Sequence, residues 1–313
     1  MASPLLSIVS PVYKAEGIVD ELVKLIVAEV EKITPDYEIV LVEDGSPDKS
    51  WQKIEENCKK NTKVKGIKLS RNFGQHFAIT AGIDKAAGKY IVVMDCDLQD
   101  DPAYIPQLYN KALEGYDIVY TRKSKRNHKW WKNITASFFN SIFNYLVENK
   151  TRESNNQVGA YSLIARKVAD AFKSYNDYRR HYLMVLRWLG FNSAYIEIEH
   201  KERYNGKSSY NLSKLLLHAI DGITSQSDKL LRLNIAVGLL LSLLSFAGII
   251  VIVFLYFKHG FLSGWASTSV LLLFSTGVIL TSIGIAGLYI GKTFEQAKNR
   301  PKYIIDVFLN ENA

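Results

Sequence analysis

Two long uncharged segments near the C-terminus constrain this chain more than any other feature. Leu233–Phe257 contains no charged residue over 25 positions, and Trp265–Ile290 contains none over 26. Roughly 20 apolar residues in a helix are enough to cross a bilayer, so each segment is long enough. A buried helical hairpin of a soluble protein is the alternative, but it rarely contains two uncharged segments of this length. We therefore predict two transmembrane helices within residues 233–290.

Basic residues flank this hairpin on its outer sides and predict its orientation. The short connection between the segments offers only Lys258 and His259. The outer flanks carry Lys229, Arg232, Lys292, Lys298, Arg300 and Lys302. Since cytoplasmic flanks are enriched in Lys and Arg, both termini are predicted to be cytoplasmic. The chain reads as a multi-pass protein of the cell (inner) membrane whose reactive domain faces the cytoplasm.

The net charge of the chain limits the classes of binding partner that we expect. The chain has 39 Lys and Arg against 31 Asp and Glu over 313 residues, a formal charge of +8. A basic chain favours nucleic acid, anionic lipid or phosphorylated small molecules. The positive charge is concentrated beside the transmembrane segments, so nucleic acid is not expected as a partner. The lipid bilayer is expected as a partner.

The cysteines and the N-terminus agree with a cytoplasmic domain. Only Cys58 and Cys96 occur, far apart and without a CxxC pair. A disulfide framework or a zinc site is therefore not expected, and a reducing compartment is the default. The first residues, MASPLLSIVSPVYKAEG, lack the basic and long apolar regions of a signal peptide.

The first 120 residues alternate between strand and helix patterns. Short apolar, β-branched segments predict strands at Leu5–Tyr13, Tyr37–Val42, Val64–Leu69, Tyr90–Met94 and Asp117–Tyr120. Helical patterns fall between them, over an apolar stripe from Val19 to Ile33 and at Asp48–Lys60, Gln75–Ala87 and Ala103–Glu114. This alternation predicts an α/β domain whose mostly parallel sheet is covered on both faces. Ligands of such sheets bind at the carboxyl ends of the strands.

An acidic cluster, VVMDCDLQDDP, follows the fourth predicted strand. In an extended segment Asp95, Asp97 and Gln99 lie at i, i+2 and i+4 and project to one side. Carboxylate and amide oxygens are hard ligands that suit Mg²⁺ or Mn²⁺. Asp100 and Asp101 are predicted to cap the helix that follows. A calcium EF-hand loop has Gly at its sixth position and Glu at its twelfth. This segment has neither residue at those positions, so an EF-hand loop is excluded.

A second acidic pair, Glu43-Asp44, ends the second predicted strand. Asp44 could accept hydrogen bonds from a base or a ribose, or the segment could be a simple turn in which Ser46 and Pro47 start a helix. The first strand is not followed by GxGxxG, and the chain has no GxxxxGK[ST] motif. A dinucleotide dehydrogenase and a P-loop enzyme are therefore not expected.

Six segments carry a resemblance to a known family. In order they are SIVSPVYKAEGI, EIVLVEDGSPDKS, LSRNFGQHFAITAGI, MDCDLQDDP, YDIVYTRKSKR and ERYNGKSSYNLSKLL. Together they resemble the inverting family 2 glycosyltransferases of GT-A fold. More narrowly, they are similar to the polyprenyl-phosphate glycosyltransferases, which include dolichol-phosphate mannose synthase, bactoprenol glucosyltransferase and the undecaprenyl-phosphate aminoarabinose transferase. The likeness covers nearly the whole chain, including the two-span anchor and the tail NRPKYIID.

The resemblance implies a role for each matching residue. Binding of the nucleotide-sugar is implied for Pro11, Tyr13, Glu16, Asp44, Asp95 and Arg122. A divalent ion, Mg²⁺ or Mn²⁺, on the donor diphosphate would be held by Asp95, Asp97 and Gln99. The acceptor phosphate would meet Arg203, Lys207 and Ser209. The catalytic residues implied are Asp97, Arg122 and Arg203, since arginine binds phosphate bidentately.

The chain departs from these relatives at three places. Lys14-Ala15 stands where they read Asn-Glu, with Glu16 one place later, and Ser209 stands where many have Lys. Many relatives have an Asp-x-Gly-Asp stretch that is proposed to serve the acceptor. The corresponding residues of this chain, Gln157 to Ala160, include neither of the two carboxylates. A polyprenyl phosphate is largely a dianion at pH 7.5, so we predict that the enzyme has no essential general base.

The chain divides into four regions on this reading. Residues 1–210 form the GT-A domain, in which 130–147 is an interfacial helix or else a core helix. Residues 211–232 form an amphipathic juxtamembrane helix, 233–290 the two transmembrane helices and 291–313 a cytoplasmic tail.

The predicted activity is transfer of a sugar from a nucleotide-sugar to undecaprenyl or another polyprenyl phosphate. Glucose from UDP-glucose is the first choice, with a 4-amino-4-deoxy-arabinose or mannose as alternatives. A polysaccharide synthase would need more spans and a QxxRW motif, and no Gln precedes Arg187-Trp188 at that spacing. An inactive nucleotide-binding scaffold is disfavoured by the intact Asp95, Asp97 and Arg122. The sequence leaves open whether the chain forms a homo-oligomer.

Overall fold

The structure, a computed structural model, describes residues 3–123, 158–177, 180–199, 229–259 and 264–311. The chain divides into two compact units, which we describe separately. The first comprises residues 1–127, 155–208 and 300–313, and the second comprises residues 128–154 and 209–299.

The described residues of the first unit form eight strands and six helices. The strands are β1 (Leu6–Val12), β2 (Tyr37–Glu43), β3 (Val64–Leu69), β4 (Tyr90–Val93), β5 (Ile118–Lys123), β6 (Val158–Ala165), β7 (Ser193–Ile198) and β8 (Ile305–Leu309). The helices are α1 (Val19–Val30), α2 (Ser50–Lys60), α3 (Gln75–Lys85), α4 (Ile105–Leu113), α5 (Arg166–Ser174) and α6 (Tyr182–Leu189). A 3-10 turn at Pro102–Tyr104 precedes α4.

All eight strands form one sheet in the order β7-β5-β6-β4-β1-β2-β3-β8. The four neighbours β4, β1, β2 and β3 are parallel, as are β5 and β7, whereas β6 and β8 run antiparallel to their neighbours. Every residue of β1 and β2 is buried because helices cover both faces of the sheet. The predicted α/β class is confirmed.

Two apolar layers hold the helices against the sheet. One face packs residues of α1, α2 and α4, and the other packs residues of α3, α5 and α6. The predicted stripe of α1 is confirmed for Val19, Leu22, Val23, Ile26 and Val30, which are all buried. The helix ends at Val30, so Ile33 lies beyond it.

The C-terminal segment belongs to the first unit. We predicted residues 291–313 to be a tail outside the GT-A domain, but β8 pairs antiparallel with the edge strand β3 from Gly66↔Leu309 to Leu69↔Ile305. The Ser70 amide also donates to the Ile304 carbonyl over 3.0 Å. The sheet is therefore completed by residues that follow the hairpin.

The second unit contains α7 (Lys229–His259) and α8 (Trp265–Ala297). Both are long and apolar enough to cross a membrane, with candidate spans at Leu231–Gly248 and Phe274–Ala297. The Ser282 hydroxyl lies 3.0 Å from Asn234 Oδ1, a polar contact of the kind that joins helices in apolar surroundings. Residues 229–232 of the predicted juxtamembrane helix form the first turn of α7. The rest of that helix and the predicted helix 130–147 lie outside the described residues.

Candidate active site

A cavity of about 450 Å³ lies at the carboxyl ends of the central strands. Its walls come from the end of β1 at Pro11–Tyr13, from Asp44 after β2, from the β3–α3 loop and from Asp95–Asp97 after β4. The chain passes from β1 to β2 and β3 on one side and then to β4 on the other. Such a switch in strand order opens a crevice, which is where open α/β sheets bind ligands.

Asp44 is buried at the end of β2, with 3% of its surface exposed. Its carboxylate accepts hydrogen bonds from the amides of Phe73 (2.7 Å) and Gly74 (2.9 Å), and its carbonyl accepts one from Asn72 Nδ2 (2.8 Å). Burial raises the pKa of Asp44, although the two amide donors oppose this shift. The contact of Asp44 with a base or ribose stays a prediction; the structure shows that Asp44 fixes the β3–α3 loop.

A glycine allows this loop to reach the end of β2. Gly45 follows Asp44 with a φ of 64°, and a Cβ there would collide with the backbone of Asn72. Gly74 has a φ of 100° immediately before α3. Because L residues with a side chain rarely adopt these angles, both positions favour glycine. The loop is thus brought to the cavity by two glycines and one aspartate.

The acidic segment after β4 turns instead of continuing as a strand. β4 ends at Val93, the chain turns at residues 96–97, and Leu98 has a φ of 58°. The prediction that Asp95, Asp97 and Gln99 share one side of an extended segment is therefore wrong. Asp95 and Asp97 line the cavity, whereas Gln99 is not part of its wall. The backbone amide of Gln99 donates to Asp97 Oδ1 over 3.1 Å.

The two following aspartates have different roles. Asp101 Oδ1 accepts from the Ala103 amide over 3.1 Å, so Asp101 caps the turn that leads into α4, as predicted. Asp100 does not cap the helix. It is buried, and its Oδ2 accepts from the Asp95 amide over 3.2 Å. Asp100 therefore holds the backbone of the residue that begins the acidic segment.

The side chain of Gln75, the first residue of α3, connects this helix to the acidic segment. Its Nε2 lies 2.6 Å from Asp95 Oδ1, and Gln75 lines the cavity. Gln75 was not among the predicted site residues. Its position where the loop after the parallel strand β3 meets α3 was the available signal, since such loops face the ligand crevice.

The acidic residues of the cavity could bind a metal ion only if a bound substrate supplied further ligands. Within the described ranges, no group of three or more His, Cys, Asp or Glu residues could hold an ion. Mg²⁺ is usually bound by one or two carboxylates together with substrate phosphates, and Asp95 and Asp97 supply that number of carboxylates. The donor set therefore fits an ion that arrives with a diphosphate.

The loop after β1 is tied to the loop after β2. The Lys14 amide donates to Ser46 Oγ over 3.0 Å, and the Glu16 carboxylate accepts from the Lys49 amide over 3.0 Å. Tyr13 is 45% exposed at the cavity wall, and Lys14 Nζ lies 5.4 Å from its ring centre. Glu16 is not part of the cavity wall; its carboxylate joins the two loops instead.

Arg122 lies at the same edge of the sheet as Asp95 but outside the cavity wall. Val93 and Tyr120 both pair with Ser162 of β6, so these two residues are level, and Asp95 and Arg122 each follow two positions later. The two strands flank β6 and are thus roughly 10 Å apart. The Arg122 guanidinium stacks on the ring of Tyr195 in β7, 4.5 Å from its centre. Tyr195 was not among the predicted site residues.

The predicted acceptor residues are not positioned by the structure. Arg203, Lys207 and Ser209 lie outside the described residues, as does Gln157. The described part of the site is therefore the cavity at the ends of the central strands.

Comparisons with known proteins agree with this fold. The family described as glycosyl transferase family 2 matches residues 7–173. An uncharacterized glycosyltransferase of Bacillus subtilis, YkcC, is 35% identical over 96% of this chain and 92% of that protein. An undecaprenyl-phosphate 4-deoxy-4-formamido-L-arabinose transferase of Proteus mirabilis is 30% identical over 96% of this chain and 92% of its own length.

A solved structure of a mycobacterial protein shares the fold. Its TM-score is 0.50 at 14% sequence identity, and the match covers 71% of this chain and 73% of that one. The α/β architecture with a ligand crevice at the central strand ends is the predicted GT-A type. The matched residues 7–173 contain every described side chain that lines the cavity. The chain is a glycosyltransferase and belongs to glycosyl transferase family 2.

Proposed function

We propose that this enzyme transfers a sugar from a nucleoside diphosphate sugar to a polyprenyl phosphate at the cytoplasmic face of the cell membrane. The observation that carries the proposal is the composition of the cavity. Its wall combines an apolar and aromatic part, Pro11–Tyr13, with the two carboxylates of Asp95 and Asp97. These groups suit the two ends of a nucleoside diphosphate.

The base and ribose would occupy the side of the cavity near β1 and β2. The half-exposed ring of Tyr13 offers a stacking surface, and Asp44 holds the loop that forms the opposite wall. UDP is favoured over GDP by the likeness to bactoprenol and aminoarabinose transferases. The cavity volume of about 450 Å³ falls within the range of small-molecule sites, roughly 300–1,000 Å³.

Asp95 and Asp97 would hold Mg²⁺ or Mn²⁺ together with the donor diphosphate. An ion bound there supplies positive charge that stabilises the leaving nucleoside diphosphate. The two carboxylates are preorganised by the protein, because Asp100 fixes the Asp95 backbone and the backbone amide of Gln99 donates to Asp97. Preorganised groups of this kind cost no rearrangement when the bond to the leaving group breaks.

The acceptor phosphate would act as the nucleophile without a protein base. Its oxygen attacks the anomeric carbon opposite the leaving group, so the configuration inverts and the electron pair of the broken bond goes to the nucleoside diphosphate. With a second pKa of about 6, the phosphate monoester is largely a dianion at pH 7.5. Arg122, and Arg203 and Lys207 outside the described residues, would balance the charge that collects when two anionic substrates meet.

Membrane anchoring fits a lipid acceptor. α7 and α8 are long and apolar enough to cross a bilayer, and the relative from Proteus mirabilis is named as an undecaprenyl-phosphate transferase. An enzyme held at the membrane meets its acceptor by lateral diffusion. The basic residues beside the hairpin would attract lipid phosphate.

The transferred sugar is proposed to be glucose, with a second candidate. The relatives of Proteus mirabilis and Aeromonas hydrophila are named as 4-deoxy-4-formamido-L-arabinose transferases at 30% and 29% identity. That observation favours a 4-substituted arabinose as the alternative. Mannose is the third choice.

The test uses the purified full-length chain in lipid nanodiscs with undecaprenyl phosphate and Mn²⁺ or Mg²⁺. It is given radiolabelled UDP-glucose, UDP-4-deoxy-4-formamido-arabinose and GDP-mannose in separate reactions. Label is expected in the organic-extractable lipid from one donor, and omission of undecaprenyl phosphate should abolish it. If all donors label only water-soluble products, the proposed acceptor is wrong.

A further inference from the structure

We propose that Gln75 is a positioning residue that orients the Asp95 carboxylate for metal-dependent binding of a nucleoside diphosphate. The inference rests on the proposed function. It assigns a role to a side chain that is neither an ion ligand nor a member of the predicted site.

The contact between Gln75 and Asp95 has a defined direction. An ionised carboxylate only accepts hydrogen bonds, so the amide of Gln75 must present its NH₂ end to Asp95 Oδ1. The 2.6 Å separation is short for a bond between nitrogen and oxygen, as expected when the acceptor is charged. The amide thus fixes one oxygen of Asp95 and, with it, the plane of the carboxylate.

The backbone of Gln75 is itself held in place. The amides of the two preceding residues, Phe73 and Gly74, are bound by the carboxylate of Asp44. Gln75 therefore starts α3 at a point set by the end of β2, and its side chain reaches the segment after β4. Asp95 is held at both ends, since its amide donates to the buried Asp100.

A fixed carboxylate matters because a rotating one must be ordered when the ion and diphosphate bind. Residues that orient the ligands of a metal typically change metal affinity by about 10–100-fold when they are replaced. The described residues provide only two carboxylates for an ion in this cavity. With so few protein ligands, the orientation of each one has a large effect on binding.

The experiment compares full-length wild type with Gln75→Met, which keeps the side-chain length and removes the donor. Calorimetric titration with UDP is done in EDTA and in Mn²⁺, and bound Mn²⁺ is measured by electron paramagnetic resonance. GDP replaces UDP if wild type binds GDP more tightly. Gln107→Leu, on the exposed side of α4, is the control. Gln75→Ala is the second variant, and melting temperatures verify that all four proteins are folded.

For wild type and Gln107→Leu, Mn²⁺ is expected to tighten UDP binding by the same factor. For Gln75→Met and Gln75→Ala, this factor is expected to fall by about 10-fold or more, while UDP affinity in EDTA stays within about twofold of wild type. An unchanged Mn²⁺ factor in both variants overturns the inference. An equal loss in EDTA also overturns it, because Gln75 then contacts the nucleotide directly. If wild type itself gains nothing from Mn²⁺, the proposed metal dependence fails, and the role of Gln75 fails with it.

Discussion

The hydroxyl of Tyr303 donates a hydrogen bond to the carboxylate of Asp84 over 2.8 Å, although 219 sequence positions separate the two residues. Asp84 lies near the end of α3, and the helix begins with Gln75 at the cavity. Lys85 Nζ and Glu311 form an ion pair over 3.2 Å beside this bond. The segment that follows α8 is therefore attached to the helix whose first residue lines the cavity.

Replacement of Tyr303 by Phe should remove this link at a modest cost. A typical hydrogen bond contributes about 1 kcal/mol to stability, which corresponds to a melting temperature lower by roughly 2–4 °C for a domain of this size. Burial raises the pKa of Tyr303, so the hydroxyl keeps its proton at neutral pH. Differential scanning fluorimetry of the detergent-solubilised protein measures the shift.

Tyr116→Phe is the matched control for Tyr303→Phe, because the Tyr116 hydroxyl makes no hydrogen bond within the described part of the chain. It should leave the melting temperature unchanged. In an Asp84→Ala background, Tyr303→Phe should have little further effect. Additive shifts in that double variant would show that the two side chains do not stabilise each other.

Asp97→Asn should reduce transfer by at least about 100-fold, because an amide oxygen is a weaker ligand than a carboxylate for a divalent ion. EDTA should abolish wild-type transfer, and added Mn²⁺ or Mg²⁺ should restore it. Initial rates with radiolabelled donor measure both effects. Asp101→Asn removes the same charge nearby but keeps a good capping residue, so it should remain active. Full turnover in a chelator-treated preparation would falsify the metal assignment.

Asp44→Asn should loosen the β3–α3 loop. The side-chain amide has one acceptor oxygen, so it can receive only one of the two hydrogen bonds from Phe73 and Gly74, and its NH₂ group opposes the other. An unsatisfied buried group costs about 1–3 kcal/mol, and the KM for the donor should rise with the loss of loop order. Thermal unfolding and donor saturation curves measure the two effects.

The stability deficit of Asp44→Asn should also depend on pH. Burial raises the folded-state pKa of Asp44 above its ordinary value of 3.8. The related stability of wild type is present below pH 3.8 and is lost as pH rises through the folded pKa. The variant lacks this slope, so its deficit in melting temperature should be largest near pH 4 and smaller at pH 7. A deficit that grows with pH would contradict the shift.

Glu153→Gln should retain transfer within about threefold, because the dianionic acceptor needs no protein base. Glu153 lies outside the described residues and is the carboxylate nearest in sequence to Gln157 and Ala160. The rate at saturating donor should rise as the acceptor phosphate ionises near pH 6 and then level off. A loss of several orders of magnitude in a folded protein that still binds donor would show that a base is required.

A reporter fused after Ala313 should be cytoplasmic. β8 and β3 are strands of one sheet, so the chain must return to the side on which the catalytic domain folds. The number of membrane crossings between β7 and β8 is therefore even, as two spans require. A reporter placed in the connection at residues 260–263 is the matched control and should be periplasmic. Equal signals from the two fusions would show that one span is misread.

The sequence predicted the parts of the fold that depend on local periodicity. Four strands and the buried stripe of α1 were located to within one or two residues. A helix buried on one face repeats its apolar residues with the helical period, and a strand buried on both faces is a short continuous apolar run. β6 was missed, although it lies between β4 and β5. β6 is placed by its pairing with segments that are distant in sequence, and local periodicity does not indicate which segments pair.

The candidate site was predicted less completely. Asp44, Asp95 and Asp97 line the cavity because parallel strands bring their carboxyl ends to one edge. Gln99 was assigned from an extended spacing that the left-handed Leu98 interrupts. Gln75 contacts Asp95 after β4, and Tyr195 contacts Arg122 of β5. Such contacts depend on tertiary packing instead of on spacing along the chain.

The pairing of β8 with β3 has a consequence for biosynthesis. Val64 of β3 accepts a hydrogen bond from Asn310, 246 positions later. At roughly 5–20 residues per second, a ribosome needs on the order of 10–50 s to make that stretch. For all of that time the edge of β3 is open, and open edges pair with other chains. Both membrane segments leave the ribosome before the closing strand, so the catalytic sheet is completed only after the hairpin has been made. If the two helices cross the membrane as proposed, a chain in which only one of them inserts would carry its last strand to the wrong side of the bilayer and leave the sheet unfinished. Membrane insertion would then act as a checkpoint on the assembly of the catalytic domain.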